Sequence, residues 1–357
     1  MKVLVTGSDG YIGTVLGATL LERGMDVVGI DCGFYRDGWL FNDQRPRPLT
    51  LSKDIRHLTE KDVEGFDAVV HLAELSNDPL GEHDANITFD INHRGSVNLA
   101  TACKNAGVPR FVYASSCSVY GAAEDGSARD ERAETNPLTA YAKCKVMVER
   151  DVGAMADAHF SPVFMRNATA FGASPRMRFD IVLNNLSGFA WTTKEIKMTS
   201  DVTPWRPLVH VEDICQAMAL ALEAPRERIH NQILNVGDDQ QNYRVREIAE
   251  IVGKTFKGCT VSLGQHGGDN RSYRIAFGKI QQHLPDFRCR WSAERGAQQL
   301  YEIFKQIGMT KDMFTFRAFT RIEQLKHLLA LQQIDSRFYW RPTPSPAAEA
   351  APQRRTA

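Results

Sequence analysis

Tyr141 and Lys145 are the residues of this sequence whose types and spacing point most directly to chemistry. They are four positions apart on a predicted helix, so the two side chains share one face. A lysine ammonium beside a tyrosine hydroxyl favours the phenolate, and the pair can therefore act as a general base. The chain contains nine tyrosines, and Tyr-x-x-x-Lys arises by chance often enough that this motif alone is a weak signal.

Three glycines near the start of the chain, Gly7, Gly10 and Gly13, lie where an apolar strand at residues 2–6 gives way to a predicted helix. Glycine permits a tight turn and a close approach to a pyrophosphate, and a helix N-terminus supplies N–H donors. An ordinary strand-turn-helix explains the glycines alone equally well. Asp31 favours the nucleotide, because it ends the next strand about twenty residues on, where a carboxylate accepts adenosine ribose hydroxyls. That carboxylate repels a 2′-phosphate, so the sequence predicts NAD rather than NADP.

The elements that must position these residues alternate between strand and helix through the first half of the chain. The predicted strands are 2–6, 27–31, 67–73, 110–115 and 161–167, and the predicted helices are 87–105 and 140–154. This alternation predicts an α/β fold built on a doubly wound, parallel Rossmann sheet.

The alternation loosens after about residue 170, which indicates a smaller substrate domain interleaved with returns to the main sheet. We expect an NAD-binding Rossmann domain over 1–170 with returns at about 207–237, a substrate-binding and C-terminal helical region over 171–206 and 238–340, and a disordered tail over 341–357. A loop is predicted at 203–207. Residues 293–334 are helical in pattern, and their apolar stripe predicts packing within the subunit or against another.

The composition excludes several classes of protein. Lys and Arg together number 43, as do Asp and Glu, so no global charge suggests nucleic acid or an anionic membrane as a partner. The seven cysteines are scattered and never spaced as Cys-x-x-Cys, which argues against disulfides and zinc and for a reduced, cytoplasmic protein without a metal. The glycine loop lies within the first thirteen residues, so no signal peptide is expected before it. No apolar run reaches the length of a membrane span, so no transmembrane helix is expected.

The order of the motifs is more specific than any one of them. It runs from the glycine loop and Asp31 through Asp54-Ile55, His71-Leu72-Ala73 and Asn92-x-x-Gly95 to Ser115-Ser116-x-x-Val119-Tyr120-Gly121 and Tyr141-x-x-x-Lys145. In this order the sequence resembles the extended short-chain dehydrogenase/reductase family, and in particular its nucleotide-sugar epimerase and dehydratase branch, of which UDP-glucose 4-epimerase is typical. The resemblance covers residues 1 to about 290 and implies a Rossmann fold that uses NAD.

The resemblance also implies roles for individual residues. Ser116, Tyr141 and Lys145 would be the catalytic triad. The implied cofactor contacts are Gly7, Gly10, Tyr11, Ile12, Gly13, Asp31, Asp54, Ile55, Leu72, Ala73, Leu75, Asn92, Tyr141 and Lys145. Within that set, Tyr11 and Ile12 would lie on the pyrophosphate, while Asp54 and Ile55 would meet the adenine.

A nucleotide diphosphate sugar is the substrate that the resemblance implies. Its expected contacts are Ser118, Thr169, Asn185, Leu186, Arg206 and Arg271. Arg206 and Arg271 match family arginines that bind the diphosphate, and guanidinium forks bind such oxyanions through paired donors. A surface salt bridge is the alternative for either arginine alone.

The chain departs from the family pattern at positions that select the reaction. Family dehydratases carry Asp and Glu after the catalytic hydroxyl, whereas this chain has Cys117 and Ser118. Dehydration across C5 and C6 is therefore disfavoured, and Cys117 is predicted to be a buried structural thiol. Thr169 stands where asparagine is common and Glu74 replaces a small residue, so the identity of the sugar stays open.

These residues favour an NAD-dependent nucleotide-sugar epimerase, which oxidises C4 to a transient 4-keto sugar and returns the hydride to its other face. A nucleotide-sugar 4-dehydrogenase or reductase with net redox is the alternative, and the sequence does not decide between the two. A non-catalytic NAD sensor requires the loss of Ser116, Tyr141 or Lys145, and all three are present. We also expect a homodimer.

Overall fold

The computed structural model describes residues 1–76, 84–122, 127–264 and 272–342. Its main sheet is built from β1 Lys2–Thr6, β2 Asp26–Asp31, β3 Leu49–Ser52, β4 Ala68–His71, β5 Arg110–Ser116, β7 Ser161–Asn167 and β11 Gln232–Val236. Smaller sheets are built from β6 Ala128–Arg129, β8 Thr169–Phe171, β9 Glu195–Asp201, β10 Trp205–His210, β12 Asn242–Arg244, β13 Thr260–Gly264 and β14 Arg274–Ile275. The main strands pair in parallel in the order β3-β2-β1-β4-β5-β7-β11. The predicted α/β fold with a doubly wound Rossmann sheet is confirmed.

Strand β1 shows why the sheet is covered on both faces. Val3 and Val5 point into one apolar cluster and Leu4 into the other, and all three are almost completely buried. A parallel sheet with helices on both faces requires such continuous apolar strands. The strand order reverses between β1 and β4, and the crevice at the carboxyl ends of such strands is where open α/β sheets bind ligands.

Helices form the outer layers and much of the C-terminal region. They are α1 Tyr11–Glu22, α2 Glu60–Val63, α3 Ala85–Thr88, α4 Ser96–Asn105, α5 Ala140–Gly153, α6 Val182–Thr193, α7 Val211–Glu223, α8 Arg226–Ile229, α9 Val245–Thr255, α10 Gly278–His283, α11 Ala293–Gln306, α12 Lys311–Thr315 and α13 Arg321–Ala330. A π-helical segment, Phe89–Gly95, joins α3 to α4, so the helix predicted over 87–105 contains an irregular turn. Among the described residues, no helix combines the length and apolar character that a bilayer crossing requires.

The segment at 203–207 differs from its prediction as a loop. Trp205, Arg206 and Pro207 form the first half of β10 and pair antiparallel with β12. The second half of β10 pairs in parallel with β8. Because the two partner strands occupy different halves of β10, Pro207 has a neighbour on one side only, which is where a sheet accommodates proline. The prolines at 204 and 207 therefore made this part of the strand look like a loop in the sequence.

The C-terminal region is divided into shorter helices than its pattern predicted. Residues 293–334 contain α11, α12 and α13, with turns between them. Leu325 and Leu328 of α13 are buried in the apolar cluster that also contains Leu4 of β1, so this stripe packs within the subunit, on the nucleotide-binding layer. Beyond residue 342, the predicted tail lies outside the described residues.

Candidate active site

A cavity of about 640 Å³ opens at the carboxyl ends of β1, β4 and β5. Most residues predicted for the cofactor, the reaction and the substrate line this one cavity. They are Gly7, Gly10, Tyr11, Ile12, Gly13, Asp31, Asp54, Ile55, Leu72, Ala73, Leu75, Ser116, Ser118, Tyr141, Lys145, Thr169, Asn185 and Arg206. The fold thus gathers residues from segments far apart in the sequence into a single site.

The glycine loop keeps side chains away from the N-terminus of α1. Gly7 has a φ of +73°, and a Cβ there would lie 2.8 Å from the amide nitrogen of Ala73. A Cβ on Gly13 would overlap the carbonyl oxygen of Gly7. Helix α1 begins at Tyr11 after Gly10, and the N–H groups of a first helical turn have no partner inside their helix. The loop therefore fits the pyrophosphate of a dinucleotide.

Asp31 lies at the end of β2 on the cavity wall. Its carboxylate accepts hydrogen bonds from the N–H of Gly33 at 2.7 Å and of Asp9 at 3.1 Å. Burial is the main cause that raises the pKa of Asp31. The carboxylate is therefore held in place where an adenosine ribose would need an acceptor. Asp54 lines the cavity as well, but its carboxylate forms an ion pair with Arg56 at 2.6 Å.

Asn92 and Leu186 are described by the structure but do not line the cavity. The side chain of Asn92 is buried behind the wall, where it accepts from the N–H of Leu75 at 2.8 Å and donates to its carbonyl at 3.0 Å. Leu186 packs in the core, because the preceding residue, Asn185, occupies the cavity-facing position of α6. Direct contact of Asn92 with the cofactor and of Leu186 with the substrate stays a prediction, and both side chains lie outside the cavity lining. Arg271 lies outside the described residues.

Ser116 and Cys117 are adjacent in the sequence, but Ser116 lines the cavity and Cys117 is buried in the core. Ser116 ends β5 at the cavity wall, and its hydroxyl accepts the N–H of Ser118 at 3.1 Å, which starts a 3-10 turn. Cys117 is 1% exposed, and its Sγ donates to the carbonyl of Arg166 at 3.2 Å. Burial raises the pKa of the Cys117 thiol. These contacts agree with the prediction of a buried structural thiol.

Tyr141 and Lys145 lie in the first turns of α5, facing the end of β5. Thr139 caps this helix, since its hydroxyl accepts the N–H of Ala142 at 3.2 Å. The Nζ atom of Lys145 lies 5.3 Å from the centre of the Tyr141 ring and donates to the carbonyl of Ala114. The ammonium and the phenol are therefore neighbours, as the four-residue spacing predicted.

Glu74 is a partner of Lys145 that the motifs did not predict. Its Oε2 lies 2.6 Å from Nζ of Lys145, and both side chains are at most 4% exposed. Its other oxygen accepts the hydroxyl of Tyr113 at 2.5 Å. Burial lowers the pKa of Lys145, but Glu74 and Tyr141 together raise it above its ordinary value. Burial raises the pKa of Glu74.

The wall beyond Ser116 carries polar atoms that a ligand can satisfy. Among the described residues, Oγ of Ser118 and Oδ1 of Asn167 are buried and have no hydrogen-bond partner. Thr169 on β8 and Arg206 on β10 line the same cavity. Buried polar atoms in proteins are nearly always hydrogen-bonded, so this wall suits a ligand rich in hydroxyl groups.

Comparison with known proteins agrees with this geometry. The model of a family described as the NAD dependent epimerase/dehydratase family matches residues 3–237. The chain belongs to this family. The dependence of this family on NAD fits the glycine loop and Asp31, and the protein is an NAD-dependent enzyme of the epimerase/dehydratase type.

The proteins to which this chain is similar include an epimerase and a dehydratase. UDP-glucose 4-epimerase of Corynebacterium glutamicum is 28% identical over 269 residues, which cover 70% of this chain and 79% of that enzyme. The structure of MoeE5 in complex with UDP-glucuronic acid and NAD is 27% identical, has a TM-score of 0.71 and covers 86% of this chain and 99% of MoeE5. TunA, an NAD-dependent NDP-hexosamine 5,6-dehydratase, is 22% identical and shares the fold, with a TM-score of 0.75 over 85% of this chain and 98% of TunA.

The family match ends at residue 237, yet later residues also line the cavity. Arg321, the first residue of α13, forms part of the wall together with Arg178 and Asp180. The Nε atom of Arg178 lies 2.8 Å from a carboxylate oxygen of Asp180. The motifs missed all three residues. The Arg-x-Asp spacing before α6 was a signal for Arg178, whereas no local pattern connects Arg321 to this site.

Proposed function

We propose that this protein is a nucleotide-sugar epimerase that acts through a transient 4-keto sugar. The observation that carries the proposal is the convergence of Ser116, Tyr141 and Lys145 on one wall of a cavity whose glycine loop fits NAD. The similarity to UDP-glucose 4-epimerase, and the UDP-sugar and NAD held by MoeE5, support a UDP-sugar as the substrate.

Each of the three side chains has a distinct role at the sugar C4 hydroxyl. Tyr141 removes the hydroxyl proton and later returns it, which is general base and general acid catalysis. Ser116 hydrogen-bonds the same oxygen and stabilises the charge that develops on it. Lys145, buried beside the Tyr141 ring, favours the phenolate through its positive charge. NAD, when bound, supplies the acceptor and then the donor of a hydride.

The residues after Ser116 argue against a dehydratase. The thiol of Cys117 faces the carbonyl of Arg166 inside the protein, so it has no access to the sugar. Ser118 presents a hydroxyl without a partner among the described residues, which suits a sugar hydroxyl rather than the acid–base work of a carboxyl group. A 4-dehydrogenase or reductase uses the same three catalytic residues and differs only in that the 4-keto sugar leaves or enters the site.

Product analysis by NMR tests the proposal. The purified protein with its bound NAD is incubated with UDP-glucose, and in parallel with GDP- and dTDP-glucose. We expect a new C4 stereoisomer from at least one of them, without a lasting increase in reduced-nicotinamide absorbance. Stoichiometric NADH with a keto product would replace the epimerase with the dehydrogenase alternative. An NAD-loaded protein that converts none of these sugars would contradict the proposal.

Tyr141→Phe tests the assignment of the base. This change removes the hydroxyl but keeps the ring beside Lys145, so we expect turnover to fall by about 10²–10⁴-fold while the NAD content is unchanged. Tyr301→Phe makes the same change on α11, away from the cavity, and should leave turnover unaltered. Undiminished turnover of Tyr141→Phe would overturn the assignment.

A further inference from the structure

Arg321 is a buried cation in the wall of the cofactor cavity. It is the first residue of α13, and it is only 3% exposed. It lies well beyond residue 237, where the match to the family model ends. The C-terminal region therefore contributes directly to the cavity, together with the ends of the main-sheet strands and the segment that carries Arg178 and Asp180.

The positive charge of Arg321 is poorly neutralised by the protein. Its guanidinium lies 3.9 Å from the centre of the Tyr35 ring. The main-chain N–H of Arg321 donates to the Asp180 carboxylate at 3.3 Å, and the same carboxylate forms an ion pair with Arg178. Within the described part of the chain, the Arg321 guanidinium forms no side-chain hydrogen bond or ion pair, and Asp180 and Asp31 attract it only from a longer distance.

The surroundings of Arg321 favour an anion as the missing partner. Burial, followed by repulsion from Arg178, lowers the pKa of Arg321 to about 10, so the side chain is still charged at neutral pH. A buried charge without a partner is costly, and it normally acquires one. Two guanidiniums that repel each other across a cavity wall are stabilised together by a group with more than one negative charge.

The C-terminal segment is fastened to the loop that follows Asp31. The indole N–H of Trp340 donates to the carbonyl of Cys32 at 2.6 Å. The side-chain amide of Gln324 donates to the carbonyl of Phe34 at 3.0 Å. These bonds fix α13 against the loop that follows Asp31, so the guanidinium of Arg321 lines the same cavity as Asp31, whose charge attracts it.

We propose that Arg321, with Arg178 beside it, binds the pyrophosphate of the NAD cofactor, so that the C-terminal helix α13 is part of the cofactor site and retains the dinucleotide. A 2′-phosphate is disfavoured as the anion, because Asp31 stands at the ribose. The diphosphate of the sugar nucleotide has its own candidate in Arg206. The inference rests on the NAD cofactor and not on the epimerase reaction.

NAD binding to full-length protein tests this inference. Arg321→Gln is compared with Lys326→Gln, which removes an exposed cation from the same helix. We expect Arg321→Gln to weaken NAD binding by about 10- to 100-fold, as the loss of a charge-assisted hydrogen bond does, and to lose NAD on gel filtration. Adenosine and UDP serve as further probes, and their dissociation constants should change by less than about twofold.

The other outcomes overturn the inference in distinguishable ways. Unchanged NAD affinity, or an equal loss for NAD and adenosine, would remove the pyrophosphate contact. A loss confined to UDP would assign Arg321 to the sugar nucleotide instead. Should Arg321→Gln fail to fold, Arg321→Met removes the charge but fills the buried site, and NAD binding as tight as in the wild type would overturn the inference. A protein that bound NAD as expected but lacked epimerase activity would leave this result intact.

Discussion

Two buried ion pairs lie close to strand β5, and they differ in how they are connected to their surroundings. In the first, Glu149 accepts two hydrogen bonds from Arg166, at 3.0 and 2.6 Å, and a third from Ser115 at 2.5 Å. The hydroxyl of Tyr120 accepts another donor of Arg166 at 2.9 Å. Arg166 and Glu149 are not among the residues that line the cavity. Their charges are therefore satisfied entirely within the protein.

The second pair, Lys145 and Glu74, stands in the cavity wall. Glu74 is fixed by the hydroxyl of Tyr113, and Lys145 by the carbonyl of Ala114. The ammonium also lies beside the ring of Tyr141, the proposed base. This pair has the same kinds of charge and a similar burial, but its members line the cavity.

The comparison shows that burial and pairing alone do not identify a functional charge. A pair whose donors and acceptors are all used by the protein holds the fold together. A pair that faces a cavity and a reactive hydroxyl can tune chemistry. Substitutions in the two pairs should therefore separate stability from catalysis.

Lys145→Met should give the largest effect, and the effect should be on catalysis. The variant removes the charge that favours the Tyr141 phenolate, so we expect turnover to fall by about 10²–10⁴-fold. Glu74 can remain protonated in the variant, because burial already raises its pKa, and this limits the loss of stability. Steady-state kinetics and urea unfolding measure the two effects. Turnover within tenfold of the wild type would remove the distinction between the pairs.

Arg166→Met makes the same type of change in the pair of Arg166 and Glu149, which we call the closed pair because it lies outside the cavity. Its effect should be on stability. Removing one partner leaves the Glu149 carboxylate buried without its cation, so we expect the free energy of unfolding to fall by about 3–5 kcal/mol. The double variant Arg166→Met/Glu149→Leu should recover most of this loss. Turnover per folded molecule should change only a few-fold. A large loss of turnover with unchanged unfolding would reverse the roles of the two pairs.

The first half of the fold and most of the cavity were predictable because their signals are local. The glycines at 7, 10 and 13 constrain the backbone wherever they occur, and Tyr141 and Lys145 need only a helix to become neighbours. Apolar runs as continuous as residues 2–6 occur in parallel strands with both faces covered. Such features depend on a few consecutive residues.

The remaining features depend on contacts between distant segments. Glu74 meets Lys145 only because β4 and β5 are adjacent in the sheet. Arg321 reaches the cavity through the packing of α13, which no periodicity in its own segment reveals. The phase of α6, which turns Asn185 and not Leu186 to the cavity, is likewise set by tertiary packing.

Glu74→Gln should give a smaller, pH-dependent effect on both properties. Burial raises the pKa of Glu74 above its ordinary 4.5, although Lys145 opposes this shift. The native state therefore holds this proton to higher pH than the unfolded chain. The stabilisation is present below pH 4.5 and is lost as the pH rises through the folded value. The unfolding free energy of the wild type should therefore fall relative to that of Glu74→Gln as the pH rises through this window.

The same variant should move the pH profile of turnover. Glu74 raises the pKa of Lys145 against the opposing effect of burial, so its removal lowers that pKa. We expect the alkaline limb of the profile to move to lower pH in Glu74→Gln. Glu149→Gln, in the closed pair, is the matched control and should leave the limb in place. An equal displacement in both variants would mean that the two pairs act alike on Lys145.

Cys117→Ala should give the smallest effect. It tests whether the Cys117 thiol contributes to stability, as the closed pair does, or to turnover. Cys117 directly follows Ser116, a proposed catalytic residue, but its thiol donates to the carbonyl of Arg166 and so belongs with the closed pair. We expect turnover to be unchanged within about twofold and the free energy of unfolding to fall by about 1 kcal/mol. Because burial raises the pKa of this thiol, Cys117 should also resist alkylation in the native state. Mass spectrometry after iodoacetamide treatment measures this, and rapid labelling of Cys117 with loss of turnover would place the thiol on the catalytic side instead.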